Sequence, residues 1–229
     1  MLQVPEYVSI VFSLTTFFSI YFFYRASQNS KTVLLLLLAW TIVQALLAYS
    51  GFYTNTGSMP PRLIFGLLPT LIGIAVLFTI PSGKQFLKSL SSSHILFIHT
   101  LRLPVELVLY WLSLYKVVPV IMTFEGANYD IFSGISACVL LLLTLRKEPL
   151  SKALLVVWNL ICLALLVTIV GIAVLSAPFP FQQLAFDQPN IAVLYFPFVW
   201  LPTVVVPLVL LAHLATLYQL LNKTKNPLP

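Results

Sequence analysis

Apolar runs long enough to cross a bilayer follow one another along almost the whole chain, with only short polar breaks between them. A helix needs about 20 apolar residues to cross about 30 Å of hydrocarbon, and inside lipid the backbone must satisfy its own hydrogen bonds. Seven such runs can be drawn, over residues 7–24, 32–52, 62–80, 93–115, 130–145, 152–175 and 191–221. They predict an all-α fold: a polytopic bundle of seven transmembrane helices, one domain over 1–229, in a cell membrane (a bacterial inner membrane or its equivalent). Only 8% of the residues are charged, against about 25% in soluble domains. The runs leave no room for a sizeable soluble domain, so the function is expected within the bilayer or at its faces.

The positive residues sort by side. Arg25, Lys31, Lys84, Lys88, Arg146, Lys147, Lys152, Lys223 and Lys225 fall at one set of span ends, and Arg62 and Lys116 at the other. The richer side is expected to be cytoplasmic. Glu6, Glu125, Asp130 and Asp187 then lie outside with the N-terminus, while Glu148 and the C-terminus lie inside. The first run has no basic segment before it and no small-residue cleavage site after it, so it is expected to stay as a helix.

The net charge of +6 does not point to nucleic acid, because the basic residues sit singly or in pairs and form no dense patch. Cys138 and Cys162 lie inside apolar runs, which argues against a disulfide framework.

The fourth run carries the chain's most expensive residues, His99, Arg102 and Glu106. A charge at the centre of a membrane helix costs roughly 2.5–3.5 kcal/mol on insertion scales, so such residues normally face the protein interior. At about 100° per residue, His99, Arg102, Glu106, Tyr110 and Ser113 share one helix face. Arg102 and Glu106 stand four apart and are expected to pair along the helix, while Pro104 between them is expected to kink it.

Counting about 1.5 Å per residue inward from the cytoplasmic ends puts His99, Asn159 and His213 at one level, with Arg102, Glu106 and Gln44 near the midplane. The expected ligand-binding residues are therefore His99, Arg102, Glu106, Tyr110, Gln44, Asn159 and His213. Glu125, Asn128, Asp130 and Asp187 are expected at an outer mouth. Two outer connections, over 122–130 and 177–190, are rich in aromatics and amides and are expected to fold over it as a lid. Asp130 is expected to cap the helix that follows it.

His99 and His213 are expected to hydrogen-bond neighbours such as Asn159 or backbone carbonyls. No His-x-x-His spacing accompanies them, so no metal site and no cofactor is assigned. Nucleophile elbows, phosphate loops and Cys-x-x-Cys pairs are missing from the sequence.

These residues suggest a membrane protein that binds or transports a small polar or amphiphilic ligand, linked to a proton, on the polar face of the fourth helix. Arg102 would hold an anionic or carbonyl group and Glu106 would exchange the proton. The expected partners are membrane lipids and that small-molecule ligand. A membrane-embedded enzyme acting on a lipid or quinone-like substrate and a membrane sensor are the alternatives.

Overall fold

The computed structural model describes residues 2–222 except 147 and 149, and every element among them is helical. Helices α1 (Glu6–Ala26), α2 (Lys31–Tyr49) and α3 (Ile64–Thr79) are followed by the short α4 (Pro81–Ser89). Next come α5 (Ser92–Thr100), α6 (Arg102–Leu114), α7 (Ile131–Leu145), α8 (Lys152–Leu175) and α9 (Val206–Asn222). Among the described residues five stretches are long and apolar enough to cross a membrane: α1, α2, Ser92–Leu114, α8 and Leu201–Asn222. α3 with α4 forms a pair bent by 94°, and α7 is a shorter apolar helix.

Local chemistry explains the boundaries. The Ser30 and Ser151 hydroxyls accept from the backbone N–H of Val33 and Leu154 and cap α2 and α8. Pro104 has no N–H to give the Thr100 carbonyl, and the fourth apolar run breaks at Leu101 into α5 and α6. That leaves Pro104 in the first turn of α6, where a missing N–H is tolerated.

The last apolar run departs from expectation. Residues 191–200 form no membrane helix; they fold as a short turn and an irregular segment, and the helix starts at Leu201 with a π-type turn to Val205. Pro207 supplies no N–H to the Thr203 carbonyl four residues back. The Trp40 indole N–H fills that place at 3.0 Å, and the Trp200 indole N–H reciprocates onto the Thr41 carbonyl at 2.9 Å. This exchange stitches α2 to the start of the last helix.

The α5–α6 pair lies at the centre, packed against α1, α7 and α9. Thr15, Thr16 and Ser19 of α1 return their hydroxyl protons to carbonyls of their own helix, so they are buried without unmet polar groups. On α2 and α3, by contrast, Leu35, Leu36, Ile42, Phe65 and Ile72 are exposed, as expected of surfaces that face lipid.

The connections gather at two ends. At one, Gln28 donates to the Ser89 carbonyl, and Gln219 donates to the carbonyls of Leu87 and Leu90. Arg25, Lys31, Lys84 and Lys88 are exposed there. Lys147, Lys223 and Lys225 lie outside the described residues. At the other end the Gln188 amide donates to the carbonyls of Ser113 and Val118, and the N–H groups of Ile191 and Ala192 donate to Val117. The two long connections are thus tied together, and Met122, Phe179 and Phe181 from them line a cavity below.

Candidate functional site

Arg102 is the hub of the buried polar residues, at 3% exposure. Its partner is Asp130: Nε donates to Oδ2 at 2.7 Å and Nη2 donates to Oδ1, a two-pronged pair that is the one ion pair among the described residues. The expected pairing with Glu106 is not formed. Asp130 stands at the N-cap position of α7, yet its carboxylate makes no cap hydrogen bond. It is turned to the guanidinium, whose planar fork it matches.

The rest of the guanidinium is also engaged. Nη2 reaches the Cys162 carbonyl at 3.4 Å, and Nη1 lies 3.0 Å from Nε2 of His213. Four of its five N–H groups are thereby used, so Arg102 has little left to hold an anionic ligand. Because a guanidinium only donates, Nε2 of His213 must offer a lone pair, which puts the imidazole proton on Nδ1. That proton faces Oδ1 of Asn159 at 2.9 Å, and Asn159 passes its own N–H to the Leu155 carbonyl at 2.8 Å. The expected His213–Asn159 pairing is therefore present.

On the other side of the hub, Ser133 donates to Asp130, and the Asp130 N–H donates to Oδ1 of Asn128. Nδ2 of Asn128 then donates to Glu106 at 2.7 Å and to the Met122 carbonyl at 2.9 Å. Gly126 makes that last reach possible, because a Cβ there would strike the backbone of Val120 and Ile121. The result is one connected network from α8 through α9, α6 and α7 into the 120–130 connection.

His99 differs from the others. Its ring stacks on His213, with centroids 4.0 Å apart and planes at 32°, and meets Trp158 edge-on. The three residues expected at one level, His99, Asn159 and His213, do meet. Yet neither ring nitrogen of His99 has a partner, contrary to the expectation that it would pair with a neighbour.

Other expected site residues lie apart. Gln44 accepts from the Tyr53 hydroxyl on the far side of the π-type turn, leaving its own Nε2 without a partner. Tyr110 packs its ring on Phe124. Glu125 and Asp187 are exposed at the end surface and line neither cavity. Ser133, Trp158 and Asn190 join the site through tertiary packing, since a lone serine, tryptophan or loop asparagine carries no sequence signal of its own.

Two cavities flank the network. The first, about 270 Å³, lies between α3, α6, α8 and the last helix, and among the described residues its polar lining is Glu106, Asp130 and Asn190. The second, about 260 Å³, lies at the opposite end and includes His99 and Asn159.

A family model described as a domain of unknown function, DUF8737, matches residues 60–221. The chain belongs to the DUF8737 family. The matched stretch runs from just before α3 almost to the end of α9 and holds every member of the Arg102 network, whereas α1, α2 and Gln44 lie ahead of it. No curated protein and no solved structure matches the chain.

Proposed function

We propose that this DUF8737 protein is a seven-span membrane protein, N-terminus outside and C-terminus cytoplasmic, that binds and transports a small amphiphilic molecule. The bent α3–α4 pair and the short α7 count as spans in this reading. The basic end described above faces the cytoplasm, following the bias of Lys and Arg.

The supporting observation is the first cavity. Among the described residues its walls are apolar except at Glu106, Asp130 and Asn190, which is the composition of a pocket for an apolar body with one oriented polar group. Asp130 is committed to Arg102, but Glu106 has only the Asn128 amide as side-chain partner, and Oδ1 of Asn190 is free. Both offer acceptors, so the ligand's head carries a hydrogen-bond donor, and Glu106 is the carboxylate placed to exchange a proton with it.

The test is native mass spectrometry of the full-length protein released gently from its own membrane. One small amphiphile per chain is expected on the wild type. The Ala173→Trp variant, which fills the cavity from α8, should lose it, while Lys84→Ala at the surface should keep it. An unliganded wild type, or an adduct that persists in Ala173→Trp, would overturn the proposal.

A further inference from the structure

The second cavity, bounded by α5, α7, α8 and α9, has a different chemistry. Among the described residues its walls contain no Asp, Glu, Lys or Arg, but they do contain Ser93, Thr144, Thr216, Gln219 and His99. Thr144 and Thr216 give their hydroxyl protons to the carbonyls of Leu140 and Ala212 at 2.8 and 2.9 Å. Gln219 spends its amide N–H groups on Leu87 and Leu90. Thr144 and Thr216 therefore leave oxygen lone pairs for an occupant, Oε1 of Gln219 already accepts from the Ser92 hydroxyl at 3.1 Å, and Ser93 and Asn159 in the same walls can still donate.

His99 adds the decisive feature. It is only 1% exposed, and neither Nδ1 nor Nε2 has a hydrogen-bond partner. Burying polar atoms without partners is costly, and native structures rarely tolerate it without a role for the group. His99 is one of the residues that line the second cavity.

We propose that this cavity is a binding site for a small uncharged polyol, held by His99. Among the described residues a charged ligand would find no counter-charge in these walls and would be penalised by desolvation. The free lone pairs call for donors, while the protonated nitrogen of His99 calls for an acceptor; a hydroxyl group is both. The volume of about 260 Å³ falls just under the ~300 Å³ at which small-molecule sites begin, so the ligand is small. Leu96, Leu155 and Trp158 provide apolar walls for its carbon skeleton. The site is separate from the amphiphile cavity, and its occupancy does not depend on what fills that one.

The chain has three histidines, so full-length protein labelled with ¹⁵N at histidine yields a simple ring spectrum. His99 signals are identified by their loss in His99→Phe. Glycerol and myo-inositol are the probes, with ethylammonium and propionate as charged controls. At least one polyol should move the His99 ring signals saturably, and neither control should. By equilibrium dialysis, His99→Phe should show no saturable uptake of the same polyol. Phenylalanine keeps the stack on His213 and removes the two unpartnered nitrogens, so without ligand this variant should melt about 2 °C or more above the wild type. Failure of both polyols, saturable movement with a charged control, or a His99→Phe variant that melts below the wild type would overturn the proposal.

Discussion

A guanidinium at 3% exposure needs a counter-charge, and two carboxylates stand nearby. Asp130 holds the fork of Arg102, whereas Glu106 takes an amide N–H from Asn128. Substitutions should separate these roles. Asp130→Asn strands the buried arginine and should cost about 3–5 kcal/mol, lowering the melting temperature by roughly 10 °C. Glu106→Gln keeps an oxygen to accept from Asn128 and should stay within about 1 kcal/mol of the wild type, while weakening amphiphile binding. Thermal melts of the two variants in the same detergent check this, and a larger loss in Glu106→Gln would reassign the partner of Arg102.

At the scale of the elements, α3 meets the bundle most closely at Gly66, its one buried residue. A Cβ on Gly66 would come within 2.5 Å of Cγ2 of Thr203 and 2.9 Å of Oε1 of Gln44. Neither neighbour can yield easily: Thr203 is tied to the Val199 carbonyl and Gln44 to Tyr53. Gly66→Ala should therefore cost about 1–3 kcal/mol through overpacking. Gly73, two turns further along α3, has nothing within 4 Å, so Gly73→Ala should be neutral or stabilise by up to about 1 kcal/mol through helix propensity. Equal melting temperatures for the two variants would mean that α3 is not seated on the π-type turn. The contrast matters for the first cavity, because α3 forms one of its walls.

For the whole molecule, the two ends differ in charge and in covering. One presents Arg25, Lys31, Lys84 and Lys88; the other presents Glu125 and Asp187 on connections that close over the first cavity. In a background with Cys138 and Cys162 replaced, a cysteine at Glu125 should react with a membrane-impermeant maleimide added outside intact cells. A cysteine at Glu148, exposed near the opposite end, should react only after the cells are opened. The reverse pattern would invert the orientation. The Arg102 network separates the two cavities, so movement of a ligand from one end to the other would require that network to open.

Local properties of the chain determined much of this molecule. Hydropathy over about 20 residues located the helices, because length and apolarity are set by consecutive residues. The 100° step placed His99, Arg102 and Glu106 on one face, and Pro104 marked the break at Leu101. Counting residues from the span ends brought His99, Asn159 and His213 to one level, since helical rise is constant. Tertiary structure decided the rest. A four-residue offset makes Arg102 and Glu106 neighbours, but a two-pronged pair needs a carboxylate presented in the plane of the guanidinium, and only the packing of α6 on α7 brings Asp130 there. Hydropathy could not tell a membrane helix from the apolar chain over 191–200, which forms only a short turn, because both are rich in apolar residues and hydropathy does not register what those residues pack against. The two cavities and the unpartnered imidazole of His99 exist only between helices, where the position of each side chain depends on neighbours distant in sequence.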